Sequence, residues 1–188
     1  MSSDVDIVNE ALSLVGFDGS PVTGSAPSFD TSIQGKNASR IYVPAVQVVA
    51  RQFEWDFSRQ IAALSASGNT APFPWSYEYL YPALAVQLWQ VTPASLADSN
   101  DPKPVNFVVG NAQVASVSTK VIWANQAGAI AVYNGLPPVA VWDAGFRAAV
   151  VRLLASGFAM AGAGKPETSQ NAMENFGQFI AGASERLS

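Results

Sequence analysis

Arg40-Ile41-Tyr42-Val43-Pro44-Ala45-Val46-Gln47-Val48-Val49-Ala50-Arg51-Gln52-Phe53-Glu54-Trp55-Asp56-Phe57-Ser58-Arg59 is the stretch in which the hydrophobic period of this chain changes. Ile41, Ala45, Val48, Val49 and the Gln52–Trp55 group recur at roughly 3.6-residue spacing, the period of a helix with one apolar face. Trp55 and Phe57 then alternate with Asp56 and Ser58, the period of a strand. After a Gly/Pro-rich loop comes Tyr77-Glu78-Tyr79-Leu80-Tyr81-Pro82, a second strand pattern. A helix therefore hands its apolar face to a strand through an aromatic plug, which is a folding feature with no catalytic content.

Working outward, Ser3 is placed to cap a first helix with Val5, Val8, Leu12 and Val15 on one stripe, and Gly16 to end it. Residues 17–33 read as a loop. The second helix is expected from Gln34 to about Glu54, with a kink or restart at Pro44 because proline has no N–H to give the ladder. A strand is expected to run from Trp55 to Leu64. Val86–Val91 alternates as a strand. Val105–Val109 and Gln113–Val117 are expected to flank a Gly110-Asn111 hairpin turn. Lys120–Trp123 and Ala129–Tyr133 form a further expected pair. Pro93–Pro104 reads as a loop. Pro137-Pro138 closes the β region and leads into a third helix, Val139 to about Ala163. A fourth, Glu167 to about Leu187, carries Met173, Phe176, Ile180 and Leu187 at helical spacing. The element order predicts an α+β fold: a small four-helix bundle, two N-terminal and two C-terminal helices, with an inserted antiparallel β-sheet or hairpin domain. Residues 1–57 and 136–188 would form the bundle and 58–135 the β-rich insertion, all within one domain, 1–188.

Composition narrows the chemistry. Of 188 residues, 49% are hydrophobic and only 13% charged, about half the usual charged fraction. Two readings fit such a deficit: a soluble monomer with a small-residue surface, and a subunit whose surface is largely buried against copies of itself, since obligate interfaces lose charge at their cores. The chain has no cysteine and no histidine, which removes disulfides, thiolate nucleophiles, Cys/His zinc sites and histidine bases. The N-terminal sequence is acidic and polar, unlike a signal peptide, and the longest apolar run, Leu153–Gly164, is shorter than a membrane span needs. The expectation is a soluble, intracellular chain. Its net charge of −4 and scattered basic residues argue against a grip on nucleic acid.

The remaining chemical signals are weak. Ala159–Pro166 echoes a phosphate loop but lacks its first glycine and its Ser/Thr, and it ends a helix rather than following a strand. Asp4 and Asp6 sit where carboxylates offset a helix dipole. Glu54 and Asp56 read as partners of Arg51 or Arg59. Ser118 and Lys120 read as exposed residues on one strand face. The Asn37-Ala38-Ser39 triplet has no secretory context. Trp55, Phe57, Phe73, Trp75, Tyr77, Tyr79 and Tyr81 are read as core or subunit-interface residues in preference to a stacking groove.

The Tyr42-Pro44 helix, Arg51, the Trp55-x-Phe57 exit and the Tyr77-x-Tyr79-x-x-Pro82 strand resemble the podovirus tail tubular protein A family, the head-to-tail adaptors. Asn106–Asn111 is similar to the family's short phenylalanine-valine-glycine segment. Tyr133 to Trp142-Asp143-x-x-Phe146-Arg147 and the Ala-rich helix beyond it resemble its final segment, and Ile7–Gly16 its first. The likeness covers most of the chain, in order. It implies a non-enzymatic structural virion protein of the phage tail or neck: a connector ring of about twelve copies beneath the portal that continues the DNA ejection channel. Implied partners are further copies of the chain, the portal protein, a tail nozzle protein and tail fibres, with genomic DNA only passing through the lumen. There is no cofactor, no metal and no membrane in that picture, and its location is the virion, with host cytoplasm during assembly. Candidate interface residues are Arg147 and Arg152 on the third helix, Met173, Phe176, Phe179, Ile180, Arg186 and Leu187 in the C-terminal segment, and Asp98 and Asp101 in the 93–104 loop. Arg147 and Arg152 are expected to meet acidic groups of a neighbouring subunit.

The chain departs from the family where Ala83-Leu84-Ala85-Val86 replaces a polar step, and where acidic Glu54 stands beside the tryptophan in place of a basic residue. Two other readings are a siphovirus-type connector or neck protein, and a small ligand-binding module built on the Trp55–Tyr81 aromatics.

Overall fold

The computed structural model describes residues 3–94 and 103–163, together with Glu174, Gly177 and Gln178. The chain divides into two compact units, Met1–Phe53 with Pro137–Ser188, and Glu54–Leu136. Among the described residues the fold is α+β, with three α-helices and eight strands in three antiparallel sheets. The expected four-helix bundle with an inserted sheet or hairpin is therefore corrected. The expected fourth helix lies outside the described residues apart from the three just named.

The first unit holds the helices. Helix α1 (Asp4–Leu14) starts in a reciprocal cap, Ser3 and Asp6 each bonding the other's backbone N–H. It ends at Gly16, whose φ of +73° lets the Gly16 and Phe17 N–H groups close back onto Ser13 and Leu12. Its buried stripe is Ile7, Val8, Ala11 and Leu12. The segment expected to be a loop contains a two-stranded hairpin, β1 (Gly24–Ser25) with β2 (Ser28–Phe29). Helix α2 (Ile33–Ala50) continues through Pro44 as one element, so the helix does not restart there. Helix α3 (Ala144–Phe158) is capped by Asp143, whose carboxylate accepts from the Phe146 N–H at 2.6 Å, and is followed by a π turn at Ala159–Ala163. It begins later than expected because Val139–Val141 forms a separate 3-10 turn. Phe146, Val150, Leu154 and Phe158 bury its inner face, and it packs against both α1 and α2.

The second unit is a β-sandwich. Strands β3 (Arg59–Ala63), β8 (Ala129–Asn134) and β5 (Gln87–Pro93) form one sheet in the order β3-β8-β5. Strands β4 (Tyr77–Leu80), β7 (Val117–Ala124) and β6 (Phe107–Val114) form the other in the order β4-β7-β6. Tyr79 and Ile122 from one sheet meet Leu88, Val91, Ala131 and Tyr133 from the other in a common core. Hydrogen bonds also stitch the sheets along both seams: Val105 N–H to Val91 O at 2.8 Å, and Leu80 N–H to Ser65 O at 2.8 Å.

Three local differences explain the revised topology. Asp56–Ser58 is a 3-10 turn, not the start of a strand, because both the N–H and the hydroxyl of Ser58 bond the Trp55 carbonyl. Gly110-Asn111 is mid-strand, and the hairpin turn falls at Ala115-Ser116, with φ of 48° and 65°. Gly110 serves the packing instead: a Cβ there would collide with the Trp123 ring. Finally, β7 and β8 are consecutive but belong to different sheets, so the expected pairing of Lys120–Trp123 with Ala129–Tyr133 does not occur.

A left-handed backbone at two non-glycine residues predicts that Ala115→Asn with Ser116→Gly will stabilise the hairpin. The gain expected is about 1 kcal/mol, read as a higher urea midpoint. An unchanged or lower midpoint would contradict the position of the turn.

Candidate functional site

One long stretch of the sandwich is almost free of charge. Between Arg59 and Asp98 the sequence contains one charged residue, Glu78, and the fold buries it to 5% exposure. Glu78 lies opposite Trp123 across the β4–β7 ladder, so both side chains share the face turned away from the sandwich core. The indole N–H of Trp123 donates to Oε2 at 2.7 Å. The other oxygen accepts from Ser67 Oγ at 2.7 Å and from the Asn69 amide at 2.8 Å. That same amide also reaches the Gln113 carbonyl on β6 at 3.0 Å. The segment after β3 is thus strapped across the sheet from β4 to β6.

Burial alone would push the Glu78 carboxyl up, but the hydrogen bonds from Trp123, Ser67 and Asn69 outweigh it and hold the group below its ordinary value. Glu78 is an ionised carboxylate with its acceptor positions filled. It is built to hold structure, not to take a proton from a substrate.

Past the strap, the loop closes on itself through Trp75 N–H to Pro72 O at 2.8 Å and is tied down by Ser76 N–H to Asn125 Oδ1 at 2.8 Å. At its apex, between Pro72 and Pro74, stands Phe73, 98% exposed. The aromatics quoted from the sequence thus separate. Tyr79 is in the core, with its hydroxyl on the Gln126 carbonyl, and Tyr77 stacks on it at 6.3 Å. Trp55 and Phe57 face each other at 6.0 Å. Tyr81 lies under the Lys120 ammonium at 3.6 Å. They form structural pairs instead of one groove.

Among the sequence-derived interface residues, Arg147 lies on α3 and bonds Glu10 of α1 within the chain, at 2.5 Å from Nη2 and 3.2 Å from Nε. Arg152 is half-buried further along α3. Met173, Phe176, Phe179, Ile180, Arg186, Leu187, Asp98 and Asp101 lie outside the described residues. Glu54 pairs with Arg59 at 3.6 Å, a partly exposed contact of little energetic weight. The 18 residues Ala144–Ala161 are long and apolar enough to cross a membrane, yet half of that stretch is buried within the protein and Arg147 interrupts it with an ion pair, as in a core helix. No three metal-ligating side chains come together among the described residues.

Asp4 and Asp30 fasten the loop between α1 and α2. Asp4 accepts from Tyr42 Oη at 2.8 Å and from Ala26 N–H at 3.2 Å. Burial, helped by that carboxylate, pushes the Tyr42 phenol up. Asp30 is held down to about 2 by the Ser32 hydroxyl, then by the Thr23 and Ser32 N–H groups and the Thr23 hydroxyl. Sequence reasoning missed the Glu78 network. Its one signal was the isolation of a single carboxylate in a long uncharged stretch.

No protein-family model matches the chain, and no curated protein matches it in sequence.

Glu78 and Asp30 both have depressed folded values, so each contributes stability above its unfolded value that is lost as pH falls through the folded one. Glu78→Gln should lower stability at neutral pH by about 2 kcal/mol, through loss of charge-assisted bonds to buried donors. It should also flatten the fall in urea midpoint that the native chain shows below about pH 4.5, the ordinary value for this group. A variant with an unchanged midpoint and an unchanged acid slope would contradict the network.

Proposed function

We propose that this chain is a non-enzymatic head-to-tail adaptor of a phage virion. In this reading it is one subunit of a ring that sits between portal and tail nozzle and continues the DNA channel. The observation that carries the reading is serial order. The Ile7–Gly16 segment, the Tyr42–Phe57 helix exit, the Tyr77–Pro82 strand, the Asn106–Asn111 segment and the Tyr133–Arg147 run follow one another as they do in the tail tubular protein A family.

Two physical features support it. The sandwich presents Ile61, Leu84, Val108, Val109 and Val117 to solvent, apolar surface suited to repeated burial. A contact between two different patches, repeated about an axis, closes into a ring, and portal symmetry would set the copy number at about twelve. The net charge of −4 suits a channel that lets a duplex pass without holding it. In this reading the Glu167–Ser188 segment meets the portal, the Ala115-Ser116 hairpin tip and the 93–104 loop meet the nozzle or fibres, and assembly takes place in host cytoplasm.

The decisive experiment is mass photometry of the purified chain with and without cognate portal rings. The expected result is a portal-dependent mass increase of about one chain per portal subunit. No increase would overturn the reading. Within it, Arg147 bonds Glu10 of its own chain, and Arg152, half-buried on α3, is proposed to add to the contact with a neighbour. Arg152→Glu is expected to abolish portal-dependent assembly while the circular dichroism spectrum of the free chain stays unchanged. Normal assembly of that variant would remove Arg152 from the interface.

A further inference from the structure

We propose that Phe73 is the anchor through which one copy of this chain docks on the next, and that the Glu78 network exists to present it. Phe73 makes almost no contact within its own chain, yet its position is fixed from three directions. Proline stands on either side of it, the Pro72–Trp75 turn closes beneath it, and the strap behind it is bonded to Gln113 and to Glu78, which Trp123 also holds. Burying a carboxylate is costly unless every acceptor is filled, and here the donors that fill it belong to the strap and to the strand beneath. The effect is a rigid loop with a large apolar side chain at its tip. A pre-ordered aromatic of this kind loses little entropy on docking and fits the description of an interface hot spot.

The occupant follows from charge. From Gln60 to Ala94 the only aspartate, glutamate, lysine or arginine is the buried Glu78, so the tip and strands β4 and β5 carry no exposed charge of their own. Two copies of a chain of net charge −4 can meet through this stretch without like-charge repulsion, and each supplies exposed apolar residues, Leu84, Val108 and Val109 among them, to receive a phenyl ring. A lipid surface fits less well, because the Gln60–Ala94 segment that carries the tip has no lysine or arginine to meet headgroups. The inference rests on the ring reading in one respect: the copy that Phe73 meets is taken to be the ring neighbour.

The test uses the full chain and the variants Phe73→Ser and Phe73→Leu, by sedimentation velocity up to the solubility limit and by titration onto cognate portal rings. Because Phe73 is solvent-exposed, both variants should unfold at the wild-type urea midpoint. Phe73→Ser should weaken association between copies about tenfold or more, in solution or as lost cooperativity in filling the portal ring, while Phe73→Leu stays close to wild type. The inference is overturned if Phe73→Ser associates like wild type, or if the wild-type chain self-associates neither alone nor on portals. It is overturned as well if Phe73→Ser impairs binding of the first chain to a portal and leaves cooperativity intact, or if the wild-type chain binds phosphatidylcholine vesicles through Phe73. Rings that form equally well from Phe73→Ser leave the adaptor reading standing and remove this one. Phe73-dependent self-association with no portal binding does the reverse.

Discussion

The Glu78 carboxylate is the constraint around which the β-unit is arranged. It lies between two strands of a sheet with no cation beside it, and such a group is tolerated only when hydrogen-bond donors take the place of water. Three side chains do so, from positions 67, 69 and 123, and each fixes something larger. Trp123 must stand directly across from Glu78, which sets the β4–β7 register. Ser67 and Asn69 must cross the outer face of the sheet, which determines the path of the chain between β3 and β4. The indole that serves Glu78 also lies over Gly110, which is why a residue without a Cβ sits in the middle of β6.

Edge protection is the second constraint. Six strands in two small sheets expose four edges, and charge is the usual means of keeping such edges from pairing with other chains. This chain uses little charge and guards its edges by geometry. The continuation of β3 bonds β4 at Ser65 and Ser67, Val105 bonds β5, and Asn69 occupies the Gln113 carbonyl on β6. A sandwich protected in this way can carry a neutral exterior without exposing long unpaired strands. That is the state the proposed contact with other subunits would require.

Local signals in the sequence correspond to local structure. Ser3 caps α1 and Gly16 ends it because both effects act within four residues of the helix end. The pairing of Glu54 with Arg59 spans one short turn and was equally accessible. What required tertiary information was misread. Gly110-Asn111 carries the composition of a hairpin turn, but its glycine answers to a tryptophan 13 residues away, while the true turn uses Ala115 and Ser116, which have no turn signature. Trp55-Asp56-Phe57 alternates like a strand, yet one serine hydroxyl bends it. The separation of β7 from β8 has no local signature at all. Of the candidate site, Arg147 was visible as a charge on an apolar helix, but its partner Glu10 lies 137 residues away and was not.

The scarcity of charge in this chain has opposite consequences at two scales. Within a subunit it makes each remaining ion a specific device: Arg147 with Glu10 joins α1 to α3, and Glu78 fastens the strap. Between copies in the proposed ring it would remove the electrostatic terms that ordinarily keep monomers apart and choose among partners. Specificity must then come from shape, and shape is effective only when it is held still. A flexible loop carrying Phe73 would spend much of its contact energy on ordering; a loop closed by its own turn and tied to a buried carboxylate would not. The single charge retained in the neutral half of the sandwich is therefore best understood through the uncharged side chain whose position it fixes.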